Sequence, residues 1–445
     1  MGRMDPIVSP GTASSHVHVI QGGSNFNLTM SDDFLLGSNC TSSLVEADKS
    51  NYWTPALYFQ DTNGSFISVP MFYMNVYYLY AALSPPPRRE SFEPTNDEIK
   101  AFPVGLRMLS GNMSLRTPPP GGAANVLDTN EGTIQPVQWT CPRTSYTPPS
   151  YPTDSDGLHG VGIQNPTNAG AGAGFPDMNC DRDASPLRAD IHFPSCYNPA
   201  AGLDDFKTNT VFPSSNGTTG GKANCPEGWI HTPHIFYEVY WNTPLFVDLW
   251  EQGNGTQPFL LANGDRTGYS LHGDFIAGWD VDVLQHIIDT CDAGDSGMDK
   301  CPGVGPINDA ADSCNIPNLV PEKISGVLEK LPGNNPPTGW GQGDTSFASS
   351  IVMTEVTSTS SSVSSASTTT VATAAVTSLT EDSSTGSTSS GLSYLGCYSD
   401  NLASRALTGI QFADLGIGQA LSTAGNASVA THWKAAPSSP LINAT

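Results

Sequence analysis

Apolar and polar residues alternate in short runs along most of the chain, which is the period of a strand with one buried face. The clearest case is Tyr52–Gln60 (YWTPALYFQ), then DTNGS, then Phe66–Tyr80 (FISVPMFYMNVYYLY). Aromatic and β-branched runs there flank Asn63-Gly64, a pair that tolerates the positive φ of a hairpin turn, so a β-hairpin is predicted. Ile235–Trp241 (IFYEVYW) and Leu245–Trp250 (LFVDLW) predict a second strand pair, with Gln257–Gly264 following. Val281–Cys291 (VDVLQHIIDTC) is the best helix, because Val283, His286, Ile287 and Cys291 return at helical spacing. Prolines and glycines, 36 and 44 of them, are spread through the chain and make long helices improbable in its first half. These patterns predict a mainly β domain, a β-sandwich or jelly roll with long loops and minor helices.

The pattern changes sharply after residue 343, where Ser, Thr, Ala and Val take over up to about residue 392. Such a tract cannot bury a core, and it is expected to be a disordered, O-glycosylated linker. Three regions are therefore expected: a folded domain over 5–343, the linker over 344–392, and a short tail over 393–445.

Composition narrows the partners. The 42 acidic against 18 basic residues give a formal net charge of −24, which repels phosphate backbones and makes nucleic acid a poor partner. Nine cysteines without CxxC spacing predict disulfides in an oxidising compartment. N-x-S/T sequons at Asn27, Asn39, Asn63, Asn112, Asn216, Asn254, Asn426 and Asn443 point the same way. The first residues show no signal peptide, so the expectation is an extracellular or cell-wall protein whose start is incomplete in this sequence. No apolar run reaches the roughly 18 to 20 residues that span a bilayer, and no transmembrane segment is expected.

The candidate chemistry centres on histidine. His16 and His18 lie two apart, so on a strand both rings share a face, and with His231, His234 and His272 they are expected to gather as acid/base groups beside Asp274. Asp5, Glu238 and Asp274 could support a metal ion there, but no compact ligand motif such as H-E-x-x-H appears, so no cofactor is predicted. Glu238 with Asp274, Asp280 or Asp282 offers a carboxylate pair of the kind that flanks a sugar ring. Trp53, Tyr240 and Trp279 are candidates for stacking on pyranose faces, and Arg107 for an anion clamp. The Asp289–Cys301 loop is acidic but lacks the spacing of a calcium site.

Six stretches carry a resemblance: DPIVSPG with HVH, SNYWTPALYFQDTNGSF, FPVGLRMLSGN, LRADIHFPSC, CPEGWIHTPHIFYEVYW and GDRTGYSLHGDFIAGWD. In that order they resemble the fungal domain-of-unknown-function family DUF1996. Ser393–Gly409 (SYLGCYSDNLASRALTG) resembles the opening of the WSC domain, and the tail is read as an incomplete module with Cys397 unpaired. The resemblance implies a secreted protein associated with cell-wall polysaccharide. Two functions are expected to compete: a glycan hydrolase or lyase working through His16, His18, His231, His272 and Asp274, and a non-catalytic carbohydrate-binding or structural wall protein.

Overall fold

The computed structural model describes residues 1–80, 95–142, 157–158, 171–182, 186–215, 222–253, 256–293, 296–309 and 314–339, and the backbone of 428–434. The Ser/Thr-rich tract, and the WSC-like tail apart from that last strand, lie outside the described residues. In chain order the strands are β1 (His18–Gly22), β2 (Asn51–Pro55), β3 (Leu57–Gln60), β4 (Phe66–Ser68), β5 (Met71–Leu79), β6 (Arg107–Gly111) and β7 (Val137–Thr140). Next come β8 (Ala171–Gly172), β9 (Leu187–His192), β10 (Cys196–Tyr197), β11 (Thr210–Val211), β12 (Ser214–Ser215), β13 (Ala223–Asn224), β14 (Ile230–His231) and β15 (His234–Trp241). The last are β16 (Phe259–Leu261), β17 (His272–Ile276), β18 (Val327–Leu328) and β19 (Ser428–Lys434); among the described residues the α-helix, α1, is Val281–Thr290. The fold is mainly β, as the alternation predicts.

The strands form a six-stranded sheet in the order β19-β5-β15-β9-β7-β8 and a four-stranded sheet in the order β1-β2-β17-β6. A second four-stranded sheet, β16-β3-β4-β18, carries the predicted hairpin: β3 pairs antiparallel with β4, and Gly64 takes a φ of 86° in the turn between them.

Two details differ from the sequence expectation. The run from Phe66 to Tyr80 is two strands in different sheets, because Pro70 separates β4 from β5 and has no amide hydrogen to continue a ladder. Leu245–Trp250 is not a strand: Thr243–Leu249 is a 3-10 helix with Pro244 in its first turn.

The six-stranded sheet and the β1-β2-β17-β6 sheet pack face to face. Alternation turns Tyr52 of β2 and Phe275 of β17 toward Tyr237 of β15, and the rings of Tyr52 and Tyr237 lie 5.8 Å apart. At Gly273 the sheets approach so closely that a Cβ would meet Phe193 at 3.0 Å and Ile191 at 3.1 Å. The core between them holds a buried polar chain: Tyr52 donates to Asp48 (2.7 Å), Ser43 does the same (2.9 Å), and Trp279 Nε1 donates to Tyr78 (2.9 Å). Burial pushes the Asp48 carboxyl up to about 6 despite the hydrogen bonds it accepts from Tyr52, Ser50 and Ser43.

Helix α1 starts where Asp280 accepts from the amides of Asp282 (3.1 Å) and Val283 (3.2 Å), and it buries Leu284, Ile287 and Ile288. Disulfides join Cys40 to Cys314, Cys141 to Cys180, Cys196 to Cys225 and Cys291 to Cys301, the last closing the acidic loop after α1. Among the described residues no helix is long and apolar enough to cross a membrane.

Candidate functional site

The outer face of the β1-β2-β17-β6 sheet brings distant histidines together. In the register His18 faces Pro55, Trp53 faces Asp274, and His272 faces Gly111, so His18, Trp53, His272 and Asp274 share the side away from the main core. That side is covered by a second apolar cluster that includes Met4, Ile7, Ile20, Phe26 and Trp53. His16, just before β1, turns its ring onto the same spot: its centroid is 4.3 Å from that of His18 and 5.1 Å from that of His272. His16 Nε2 and His272 Nε2 are 3.2 Å apart, and the ligand atoms of His16, His18 and His272 all lie within 4.8 Å of one another.

These side chains are sealed from solvent: His18, His272 and Asp274 are 0% exposed and His16 is 2%. Burial holds His272 down at about 4, and burial together with repulsion from its neighbours lowers His16 and His18 well below the usual imidazole range. All three rings are therefore neutral at pH 7. Ser270 O, 2.7 Å from His272 Nδ1, takes that nitrogen's proton in a hydrogen bond and leaves Nε2 with its lone pair. Among the described residues neither oxygen of Asp274 nor Trp53 Nε1 has a hydrogen-bond partner, and the side chain of His18 has only the Met4 backbone carbonyl beside it. Leaving such groups unsatisfied costs about 1–3 kcal/mol each. Burial raises the Asp274 carboxyl well above its ordinary value, and the nearby Asp5 raises it further.

His231 is not part of this group. It stands on β14, with Nε2 3.3 Å from Ser195 Oγ and Nδ1 3.1 Å from Asp97 Oδ2. This order of serine, imidazole and carboxylate is chemically suggestive, but Ser195 is 0% exposed and precedes Cys196, whose disulfide to Cys225 fixes the loop. The same disulfide consumes both sulfurs near His231, so no thiolate is left there to hold a metal. His234 instead pairs with His192, Nε2 to Nδ1 at 2.9 Å.

The other concentration of chemistry lies on the outward face of the six-stranded sheet, and sequence reasoning found only part of it. Register places Glu238 opposite Asn75 on one side and Asp190 on the other, and Tyr240 opposite Tyr73 and Arg188. Alternation then puts Tyr73, Asn75, Tyr77, Phe236, Glu238, Tyr240, Arg188, Asp190 and His192 on one face, while Val76, Tyr237, Val239, Ala189 and Ile191 fill the core behind.

Arg188 Nε is 2.5 Å from Asp190, and its Nη1 is 2.8 Å from Glu238. Tyr77 (2.9 Å), Tyr240 (3.1 Å) and Asn75 (3.2 Å) donate to the other Glu238 oxygen. Burial opposes the Arg188 charge, but Asp190 and Glu238 outweigh it and hold the guanidinium's pKa well above its usual range. Burial raises Asp190, against the pull of Arg188. Over this floor the rings of Tyr77 and Phe236 stack at 5.6 Å and those of Tyr73 and Tyr240 at 4.3 Å, with Tyr73, Tyr77 and Phe236 only partly buried. The signal for Arg188, Asp190 and Tyr77 was available in LRADIH and NVYY, where polar groups occupy every second position of otherwise apolar strands.

The remaining expected residues are structural in placement. Trp53 (0% exposed) and Trp279 (1%) are core side chains with no face open to a sugar, and Tyr240 is 5% exposed. Arg107 lies 3.6 Å from Asp32 and 3.9 Å from Asp204 and donates to Met30 O (2.8 Å), so its charge is already engaged.

Fold and sites together define a disulfide-bonded antiparallel β-protein with a buried imidazole cluster and a polar, aromatic sheet face. Residues 5–279, more than half of the chain, match a family described as a domain of unknown function, DUF1996, and the chain belongs to it. No curated protein and no solved structure matches the chain.

Proposed function

We propose that this is an extracellular, wall-associated module that binds neutral polysaccharide on the outward face of its six-stranded sheet without cleaving it. The observation that carries the reading is the pairing of partly exposed rings, Tyr73, Tyr77 and Phe236, with a polar floor whose members are already locked together. Aromatic faces stack on pyranose rings, and a fixed hydrogen-bonding floor orients hydroxyls at little cost in ordering. One guanidinium against two carboxylates leaves the floor anionic, so neutral sugars suit it and uronates do not. A glycosidase needs one carboxyl free to give a proton; here both carboxylates are bound to the same Arg188, which favours binding over hydrolysis. The buried His16, His18 and His272 are likewise cut off from a polymer. Four disulfides among the described residues fit an oxidising compartment outside the cell.

The test is co-sedimentation of the full chain with insoluble β-glucan, cellulose and chitin and affinity electrophoresis with soluble glucan and polygalacturonate, with mass spectrometry of the supernatants. Retention on a neutral polymer without release of oligosaccharides is expected. New oligosaccharides that grow with time would establish an enzyme instead.

A further inference from the structure

The cluster of His16, His18 and His272 joins the N-terminal segment to β17 across 256 residues of sequence, and its geometry matches a coordination shell. A tetrahedral ion with bonds of about 2.0–2.1 Å to imidazole nitrogen holds its donor atoms about 3.3 Å apart. His16 Nε2 and His272 Nε2 are 3.2 Å apart, and the third donor is already within 4.8 Å. The His272 ring carries its proton on Nδ1, bound to Ser270 O, so the nitrogen facing the cluster has its lone pair available, the arrangement that ligating histidines adopt.

A metal-free pairing accounts for only two of the three rings. His16 can donate from Nε2 to His272 Nε2 while the Ser15 hydroxyl, 3.0 Å away, donates to His16 Nδ1. His18 is 0% exposed and has only the Met4 backbone carbonyl to accept from it, which leaves its other ring nitrogen with a lone pair and no partner among the described residues. The same sheet face also buries Asp274, two residues along β17 from His272, with no partner for either carboxyl oxygen among the described residues. Three imidazole nitrogens this close together, with a buried carboxyl group on the same strand as one of them, form a donor set for a dication, and nitrogen donors select a first-row transition ion over calcium or magnesium.

We infer that His16, His18 and His272 bind one structural Zn²⁺ or Cu²⁺ ion, with Asp274 close by on the same face of β17. Being closed to solvent, the site acts as a clasp that fixes the N-terminal segment to the sheet. It is separate from the polar sheet face, so glycan binding and metal binding can fail independently.

The experiment uses the full, untagged chain. Elemental analysis by plasma mass spectrometry is expected to find about one zinc or copper per chain. Chelation by EDTA followed by dialysis is expected to lower Tm by at least about 5 °C, and one equivalent of Zn²⁺ or Cu²⁺ to restore it, the larger shift naming the ion. X-ray absorption of the loaded protein should show imidazole scattering from three ligands. His18→Gln should lose the ion and His286→Gln, on the exposed face of α1, should keep it. If His18→Gln does not fold, Asp274→Asn should still show weakened metal retention, and the absorption spectrum of the unaltered protein stands alone. A chain that gains neither metal nor Tm on addition of either ion overturns the inference, as does a loaded spectrum with fewer than two imidazoles or full metal content in His18→Gln.

Discussion

Glu238 and Asp190 stand directly opposite each other on β15 and β9, and a single guanidinium, that of Arg188, touches both, at 2.8 and 2.5 Å. The three side chains sit at the centre of the sheet on which glycan binding is proposed, with the Glu238 and Asp190 carboxylates almost wholly buried. Removing the cation leaves two buried carboxylates facing each other. Arg188→Met is therefore expected to cost about 3–5 kcal/mol of unfolding free energy, measured by urea denaturation. Arg188→Lys recovers only part of that, because an ammonium cannot reach both carboxylates in one plane. A loss below about 1 kcal/mol in Arg188→Met would mean that the network does not hold the sheet.

Asp48 gives a pH dependence whose sign is fixed. Its folded pKa, about 6, lies above the unfolded value near 4, so the native state holds the proton more tightly. The stabilisation from that proton is complete below about pH 4 and is lost as pH rises to about 6. Asp48→Asn, which cannot ionise, lacks this loss. The stability difference between the unaltered chain and the variant is expected to move by about 2–3 kcal/mol in the variant's favour between pH 4 and pH 7, read from denaturant midpoints at each pH. A constant difference would contradict a folded-state pKa raised above the unfolded value at Asp48.

The disulfides should rank by the length of chain they close. Cys40–Cys314 spans 274 residues and Cys291–Cys301 spans 10. Replacing both cysteines of the long link by serine is expected to lower stability by about 2–5 kcal/mol, more than the same change in the short one, with thermal unfolding of the two double variants as the measurement.

Much of the fold was legible because local rules decided it. Asn63-Gly64 selects a hairpin turn whatever surrounds it, and α1 carries its own cap at Asp280. Leu245–Trp250 is a 3-10 turn rather than a strand, and a short apolar run has no period to separate the two; Leu245 is 55% exposed and Leu249 49%, while Phe246 anchors the turn in the core. Among the site residues, His16, His18, His272 and Asp274 do share one region, since two pairs of them are local in sequence and sheet register supplies the rest. His231 resembles them in sequence and yet lies on β14, because only long-range pairing decides which ladder a strand joins. Trp53 and Trp279 show the limit of composition: an aromatic ring reads the same in a strand whether it faces sugar or core.

The polar sheet face itself is tested most directly through Tyr77, which is partly exposed, stacks on Phe236 and donates to Glu238. Binding isotherms on the neutral polysaccharide that retains the unaltered chain should show Tyr77→Ala weakened by about tenfold, roughly 1.4 kcal/mol, with Tyr77→Phe intermediate because it keeps the ring and loses the hydroxyl. Polygalacturonate should retain neither. Undiminished binding by a folded Tyr77→Ala chain, or failure of the unaltered chain to bind any neutral polymer, would contradict the account.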